Sequence, residues 1–442
     1  MPEPTPSRRP GAAAGPRAIV LGVEHPRGVA VIRSLGRRGI PVIAVEHDTN
    51  ARGLRSRYLD GTVLVDGSPA QTVAALETLG RDGGGLLIPT NDHFLVMVSQ
   101  HYERLAHSFS ITVPPWNVLE RILDKPACYR LAQQAGLRTP RFFVPRDSSD
   151  LDEIVSTLDF KAHRYILSVR TPRGTAVDLR TGRMTKVAAA DADTVRQECL
   201  DIAVRTGEMP MLAEVIPGRS DRCVGVSMVV DRRHVPVVTY CVRRLQLYLY
   251  ALDSDFMHPY ELGANVYCES VRDAEAVEAA TRFVQTAGYY GAITVEFRRD
   301  LADGHLRLIK ADPRVVRATS LSTALGLDVP AALYGVFTGA RQDRVSRYPE
   351  RIAWMWISWY VATIWANRKR TGLARQVWAV LKNVHRLRSF AYLSLTDPLP
   401  ALVDASRYAR QVALAAARTA LPPQSPIGKV ARVARRHWPV RT

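Results

Sequence analysis

The stretch Arg17–Gly28 reads RAIVLGVEHPRG and indicates how the chain begins to fold. Its first seven residues are a short, β-branched run typical of a buried parallel strand, and a helical pattern follows over 29–38. Residues 39–41 (GIP) interrupt that helix, and 42–46 (VIAVE) predict the next strand. Strand, helix and strand in this order predict a doubly wound α/β sheet. The turn carries one late glycine rather than GxGxxG, which favours a Rossmann-like scaffold with a switch-point crevice over a dinucleotide site.

The composition excludes several classes of protein. The chain has 442 residues, 47% of them apolar and 23% charged, which excludes a mainly disordered or fibrous protein. At roughly 100–200 residues per domain, this length suggests about two to four domains. The five cysteines are scattered without CxxC spacing, which excludes a disulfide scaffold or a zinc finger and indicates a reducing compartment. No run of 18 uncharged apolar residues is present, so we predict no membrane span.

The net charge of +18 is unevenly distributed. Residues 345–442 contain 17 Lys and Arg against three Asp and Glu, a net charge of +14, which leaves +4 for the first 344 residues. Six of the seven tryptophans also lie in this tail. A basic tail with interleaved aromatic residues attracts polyanions such as nucleic acid or anionic lipid, but a solvated helical extension has the same composition.

The pattern of strands and breakers divides the chain. A second buried strand is predicted at 86–90 (LLIPT), directly before Asn91-Asp92, and an amphipathic helix is expected over 119–135. The prolines at 114–115 interrupt the pattern between them, so we place a domain boundary near 115. The predicted segments are a disordered leader (1–16), a Rossmann-like domain (17–115), a domain of mixed strands and helices (116–340) and a basic, Trp-rich helical tail (345–442).

Four short segments carry residues suited to nucleotide chemistry. They are 123–125 (LDK) at a helix start, 213–218 (AEVIPG) at a strand end, 294–297 (TVEF) within a strand, and 311–314 (ADPR) after another strand. Within TVEF, a carboxylate on an otherwise apolar strand needs a partner or a metal. Their order and spacing resemble the ATP-grasp superfamily, in the carboxylate–amine ligase-like branch that includes D-aspartate ligases.

The first half of the chain agrees with this resemblance. The segments 34–45 (SLGRRGIPVIAV), 55–61 (RSRYLDG) and 86–92 (LLIPTND) are similar to the pre-ATP-grasp domain of that branch, and 395–402 (LTDPLPAL) resembles the tail of its actinobacterial members. The resemblance implies an α/β (α+β) fold. It consists of a Rossmann-like pre-ATP-grasp domain, a two-lobed ATP-grasp domain (116–340) and a basic helical C-terminal extension.

The resemblance also implies how a nucleotide would bind. Lys125 would contact the phosphates of ATP, and Glu214 would accept a hydrogen bond from the adenine amino group. The backbone groups of Val215 and Ile216 would contact the adenine edge, and Asp221 could accept from a ribose hydroxyl.

The resemblance further assigns a metal and a substrate site. Glu296 and Asp312 would bind Mg²⁺, which prefers oxygen ligands projecting from adjacent strands. Arg314 would contact phosphate or the acyl substrate, and either Arg243 or Arg244 could bind the substrate carboxylate. The implied cofactors are ATP and Mg²⁺.

Two positions depart from the family pattern. Ser168 stands where the family has its second phosphate-binding lysine, and Arg170 or Arg173 could restore the positive charge. Lys310 stands where the family has its second metal-binding carboxylate. This exchange leaves three outcomes open. Lys310 could replace one cation and contact phosphate directly, Asp312 could hold a single metal ion, or the reaction could be lost.

The sequence therefore favours an ATP-dependent ligase that joins a carboxylate to an amine through an acylphosphate. The alternative is a catalytically silent relative that binds a nucleotide or a metabolite as a regulatory or scaffold subunit. We expect a cytoplasmic protein. The apolar segment 353–366 could also attach it to an anionic membrane surface as an interfacial helix, or it could pack on the body. We expect no nucleic-acid partner, because no recognisable nucleic-acid-binding module accompanies the charge.

Overall fold

The computed structural model describes residues 15–168, 186–189, 191–218, 220–249, 263–340, 344–371 and 373–420. The N-terminal part contains a parallel five-stranded sheet whose strands are β1 (Ala18–Leu21), β2 (Val42–Glu46), β3 (Gly61–Leu64), β4 (Gly85–Pro89) and β5 (Phe109–Ile111). Its helices are α1 (Pro26–Arg37), α2 (Pro69–Arg81), α3 (Asp92–Gln100) and α4 (Tyr102–Ala106). The strand order is β3-β2-β1-β4-β5.

The structure confirms the predicted strand–helix–strand unit. All four residues of β1 are buried, as expected for a parallel strand covered on both faces. Helix α1 begins at Pro26 rather than Val29, because proline is well accommodated in the first turn of a helix. Strand β1 continues to β2 on one side and pairs with β4 on the other, so the strand order reverses between β1 and β4.

The single helix predicted over 119–135 is wrong, because the structure has two helices there. They are α5 (Trp116–Leu123) and α6 (Lys125–Gln134). Asp124 between them is extended, and its carboxylate accepts a hydrogen bond from the backbone N–H of Ala127 at 2.9 Å. An N-cap of this kind ends one helix and starts the next.

A four-stranded antiparallel sheet forms a separate lobe. Its strands are β6 (Phe142–Phe143), β7 (Tyr165–Ser168), β8 (Lys186–Ala189) and β9 (Met211–Glu214), in the order β6-β9-β7-β8. Helices α7 (Ser148–Ser156) and α8 (Ala192–Thr206) pack on it. The lobe has its own apolar core, which includes Leu151, Tyr165 and Ile202.

The largest sheet has seven strands. They are β10 (Cys223–Val230), β11 (Pro236–Leu249), β12 (Gly263–Val271), β13 (Gly291–Arg299), β14 (Leu306–Asp312), β15 (Ala353–Met355) and β16 (Leu387–Phe390), in the order β14-β13-β10-β11-β12-β15-β16. The accompanying helices are α9 (Ala274–Ala287), α10 (Thr319–Ala324) and α11 (Val329–Thr338). Strands β13 and β14 form an antiparallel hairpin around Asp303-Gly304.

The tail is only partly helical, which corrects the expectation for its first residues. Residues 353–355 form β15 inside the large sheet, with Trp354 fully buried, so 353–366 is not one interfacial helix. The helices begin after it, as α12 (Ile357–Thr371), α13 (Leu373–Asn383) and α14 (Leu399–Ala420). Trp365 and Trp378 on them are exposed by 62% and 67%, and binding to a membrane surface stays a prediction. No described helix is both long and apolar enough to span a bilayer.

Other predictions concern the ends of the chain and its cysteines. Residues 1–14 of the predicted leader lie outside the described residues, whereas the Pro16 carbonyl accepts a hydrogen bond from the Tyr334 hydroxyl at 2.6 Å. The boundary near 115 stays a prediction, although α5 begins at Trp116. All five cysteines are buried and free, as the absence of paired spacing indicated.

A buried ion pair attaches the tail to the N-terminal sheet. Arg33 on α1 donates to the Asp397 carboxylate at 2.8 Å and to the carbonyls of Tyr392 and Asp397. Asp397 is 1% exposed, and it also accepts hydrogen bonds from the Ser56 hydroxyl and the Arg57 backbone N–H. The segment LTDPLPAL therefore links the C-terminal tail to the N-terminal sheet.

Replacing Asp397 with Ala should strongly destabilise the protein, because Arg33 would remain buried without its carboxylate. Removing one partner of a buried pair costs about 3–5 kcal/mol, so we expect a loss of that order in the free energy of unfolding, measured by urea titration. Asp193→Ala is the control, since its carboxylate pairs with Arg196 on the exposed surface and should contribute little. Equal losses in the two variants would contradict the anchoring role of Asp397.

Candidate functional site

Three charged side chains share one face of the large sheet. Glu296 on β13 pairs in register with Lys310 on β14, and Thr294 pairs with Asp312. Directly paired residues of antiparallel strands point to the same face, and so do residues two apart on one strand. Glu296, Lys310 and Asp312 therefore lie side by side, as the sequence predicted for its two carboxylates.

The Lys310 ammonium lies between the two carboxylates. Its Nζ is 2.8 Å from Asp312 Oδ2 and 3.6 Å from Glu296 Oε2. Burial alone would lower the pKa of Lys310, but the charges of Asp312 and Glu296 outweigh it and raise the pKa. Lys310 therefore stays protonated at neutral pH, and its positive charge compensates the negative charge of both carboxylates.

Arg244 is the second cation on this face. It forms an ion pair with Glu296 from β11, although β10 runs between β11 and β13. The residue of β10 between Val242 and Glu296 is Gly225, where an added Cβ would already be 3.3 Å from the side chains of Val242 and Thr294. The glycine leaves room for the long arginine to cross the strand.

The structure distinguishes the two arginines that the sequence left as alternatives. Arg244 joins the cluster, whereas Arg243 points to the opposite face and pairs with Glu269. The alternation of side chains along a strand explains the difference.

Arg314 connects the cluster to the N-terminal sheet. Its guanidinium lies 2.6 Å from Asp92 Oδ1, at the start of α3, and 3.8 Å from Asp312 Oδ1. Burial alone would raise the pKa of Asp312, but Lys310 and Arg314 outweigh it and hold that pKa well below its ordinary value. Asp92 is not among the site residues that the sequence predicts, although its place directly after a buried strand was a usable signal.

This donor set does not fit two magnesium ions. Both carboxylates are engaged by cations, Glu296 by Arg244 and Lys310, and Asp312 by Lys310 and Arg314. Among the described residues no group of three or more His, Cys, Asp or Glu is arranged to hold a metal. The ammonium of Lys310 lies where a cation bridging the carboxylates would lie, so Mg²⁺ binding by this chain stays a prediction.

Lys125 is the first residue of α6, which packs against β14. The Tyr129 hydroxyl, one turn further on, donates to the Ile309 carbonyl at 3.1 Å, and Lys125 Nζ lies 5.7 Å from the Tyr129 ring centre. The start of α6 is thereby held beside the strand that carries Lys310 and Asp312.

The segment Glu214–Pro217 lines a cavity of about 610 Å³. Its backbone is held at both sides, since Glu214 N–H donates to the Arg141 carbonyl and Val215 N–H to the Arg164 carbonyl. Lys125, Glu296, Lys310 and Asp312 do not line this cavity. The structure therefore does not bring Glu214 and the charged cluster into one described cavity.

A single arginine links this segment to the charged face. Arg298 Nη1 donates to the Ile216 carbonyl at 2.9 Å and to the Gly218 carbonyl at 3.3 Å. Arg298 and Glu296 are two residues apart on β13, so they share a face and lie roughly 7 Å apart along the strand. The segment at Ile216 thus adjoins the cluster.

Two further predicted residues stand apart. Ser168 ends β7 and is buried, and its hydroxyl has no hydrogen-bond partner among the described residues. Arg170 and Arg173, proposed as its substitutes, lie outside the described residues. Asp221 lies in a short 3₁₀ helix and is exposed. Their contacts with a nucleotide stay predictions.

Comparisons with known proteins identify the fold. No family model and no curated protein matches the sequence. Among solved structures, the chain is similar to N5-carboxyaminoimidazole synthetase from Staphylococcus aureus, with a TM-score of 0.58, 14% identity and coverage of 76% of this chain and 80% of that one. It is also similar to the biotin carboxylase domain of 2-oxoglutarate carboxylase from Hydrogenobacter thermophilus, solved with MgADP, ADP and bicarbonate. The TM-score is 0.57 at 14% identity, over 77% of this chain and 74% of that one.

A third similar structure is biotin carboxylase from Campylobacter jejuni, solved as a β-γ-ATP complex. It has a TM-score of 0.55 and 15% identity, and the match covers 74% of this chain and 72% of that one. These likenesses establish the fold. The chain has an α/β ATP-grasp architecture, with a Rossmann-like parallel-sheet domain followed by a two-lobed ATP-grasp domain.

Restoring a carboxylate at position 310 should create a metal site. In Lys310→Glu, three carboxylates would share the face and the bridging ammonium would be gone, so we expect Mg²⁺ binding by calorimetry in the absence of nucleotide. The wild type should show none. Lys310→Met is the matched control, because it removes the ammonium without adding an oxygen ligand. Equal Mg²⁺ binding by the wild type and Lys310→Glu would show that Lys310 does not occupy the position of a cation.

Proposed function

We propose that the chain is an ATP-dependent ligase that joins a carboxylate to an amine. The observation that carries the proposal is the row of Glu296, Lys310 and Asp312 on adjacent strands, continued by Arg314 to the N-terminal sheet. The ATP-grasp fold supports it, since similar structures were solved with ADP. Such a row can orient a polyphosphate and stabilise charge that develops during phosphoryl transfer.

The reaction has two steps. A carboxylate oxygen of the first substrate attacks the terminal phosphorus of ATP, the bond to the bridging oxygen breaks, and ADP leaves. The nitrogen of the amine then attacks the carbonyl carbon of the acylphosphate, inorganic phosphate leaves with the bonding electrons, and the nitrogen loses a proton. The overall products are an amide, ADP and phosphate.

The chain's own groups bind and position the reactants. Lys125 and Lys310 bind phosphate oxygens, and Glu214 with the backbone of Val215 and Ile216 binds the adenine ring. Arg314 lies between Asp312 and Asp92. In this position it can contact the transferred phosphoryl group on the side where the second substrate binds. In this proposal Lys310 supplies positive charge that a bridging cation would otherwise supply.

A second candidate is a nucleotide-binding relative without catalysis. Two observations favour it. The Lys310 ammonium is already engaged by two carboxylates, and Ser168 cannot supply the positive charge of a lysine. In this case, ATP or a metabolite binds and the chain acts as a regulatory or scaffold subunit.

Nucleotide binding is tested by replacing Lys125 with Ala. A hydrogen bond to a charged group contributes roughly 1.5–3 kcal/mol, so the Kd for ATP in calorimetry should rise about 10- to 100-fold. Arg130→Ala is the matched control, because Arg130 lies on the same helix but is exposed, and its Kd should equal that of the wild type. An ATP affinity that is unchanged in Lys125→Ala, or absent in the wild type, would refute the assignment.

The two candidate functions differ in turnover. A screen of carboxylates against amines with ATP should release phosphate only when both substrates are present, if the chain is a ligase. Saturable ATP binding without phosphate release from any pair would instead favour the silent relative.

A further inference from the structure

Near the carboxyl ends of β1 and β4 lie arginines whose buried Nε atoms have no hydrogen-bond partner among the described residues. The loop after β1 (Gly22–His25) and the loop after β4 (Thr90–Asn91) meet there, since the Thr90 hydroxyl donates to the Gly22 carbonyl. An added Cβ at Gly22 would lie 2.4 Å from the Asn91 side chain, so the two loops are in contact. Open α/β sheets bind ligands where the strand order reverses, which here is between β1 and β4.

Arg27 is a buried arginine beside these loops, in the first turn of α1. It is only 7% exposed, and its buried Nε has no hydrogen-bond partner among the described residues. The first turn of α1 contains no acidic residue, and the His25 side chain does not cap the helix. The positive end of the helix dipole therefore adds to the charge of Arg27.

Arg317 and His25 complete the group. The Arg317 guanidinium lies 5.8 Å and 5.7 Å from the ring centres of Trp356 and Trp359, and its buried Nε also has no hydrogen-bond partner among the described residues. The same is true of His25 Nδ1. Trp356 packs against Tyr392, whose hydroxyl donates to the Glu24 carbonyl, so Arg317 is held on the wall facing the β1 loop.

Two of the nearby cations have no carboxylate partner among the described residues. Arg244, Lys310 and Arg314 form ion pairs with Glu296, Asp312 and Asp92, whereas Arg27 and Arg317 form none there. Burial, and after it the charge of Arg314, lowers the pKa of Arg27 to about 9. A buried, charged donor without a partner is costly, and a bound anion would remove that cost.

We propose that Arg27, Arg317 and the N-terminus of α1 bind a doubly negative oxygen group of the second substrate, either a phosphate monoester or a pair of carboxylates. Arg314 and Asp92 separate this group from Lys310 and Asp312, so the reacting atoms would lie toward Arg314 and the anionic group toward Arg27. The identity of the ligand as a substrate rests on the proposed function. The anion site itself does not.

The test is anion binding by the full-length protein without nucleotide. Inorganic phosphate and malonate should raise the melting temperature of the wild type above the value in chloride of equal ionic strength, because a ligand that binds only the folded state stabilises it. The stronger of the two anions identifies the phosphate or the dicarboxylate class. In Arg27→Gln and in Arg317→Gln the Kd for that anion should rise at least tenfold.

Two control variants and one control measurement distinguish anion binding at this site from binding elsewhere on the protein and from a structural role of Arg27. Arg81→Gln, an exposed arginine of α2, should keep the wild-type shift. Lys125→Ala should keep it as well, since the anion is not expected at the nucleotide phosphates. Arg27→Gln without anion should melt no lower than the wild type, because its Nε makes no hydrogen bond, whereas a merely structural Arg27 would give a lower value. Should Arg27→Gln fail to fold, Arg317→Gln with Arg317→Lys as its charge-preserving partner decides the question.

The inference is overturned if the shift equals that in chloride, or if it persists in both glutamine variants. It is also overturned if Lys125→Ala alone abolishes the shift. Failure of the proposed function is distinguishable, because ATP binding is measured separately. An Arg27-dependent anion site without ATP binding would keep the site and refute the ligase.

Discussion

The ammonium of Lys310, placed between Glu296 and Asp312, is the interaction on which the rest of the site depends. Two carboxylates on neighbouring strands of a partly buried face would repel each other strongly in a medium of low dielectric constant. Lys310, together with Arg244 and Arg314, compensates that repulsion. The charged side chains of this face are therefore already paired with one another. This pairing determines which ligands the face can bind.

The same principle explains how the basic tail is attached. Two of its three acidic residues, Asp397 and Asp404, are buried, and each pairs with an arginine of the N-terminal domain, Arg33 and Arg52 respectively. Asp404 also accepts hydrogen bonds from the Trp356 indole and the Ser358 hydroxyl. The tail thus contributes carboxylates where the body has buried cations. The tail therefore packs against the rest of the protein and is more than an extension.

Much of the fold could be predicted because its signals are local. The buried run of β1 and the strands at 42–46 and 86–90 follow from apolar pattern and breakers alone. The division of the helix around Asp124 was missed because its amphipathic pattern continues across the N-cap. The strand at 353–355 was missed because a short, Trp-rich apolar run has the same pattern in a buried strand as in a helix.

For the candidate site, the charged residues and the strands that carry them can be predicted without coordinates, since Glu296, Lys310 and Asp312 follow from position and alternation. Their partners cannot be predicted in this way, because they depend on the packed fold. The structure pairs Glu296 with Arg244 rather than Arg243 and Arg314 with Asp92, and it places Arg27 near Arg317. In each case the two residues are far apart in the chain. Electrostatic pairing depends on distances of a few ångströms between side chains, and only the packing of sheets and helices sets those distances.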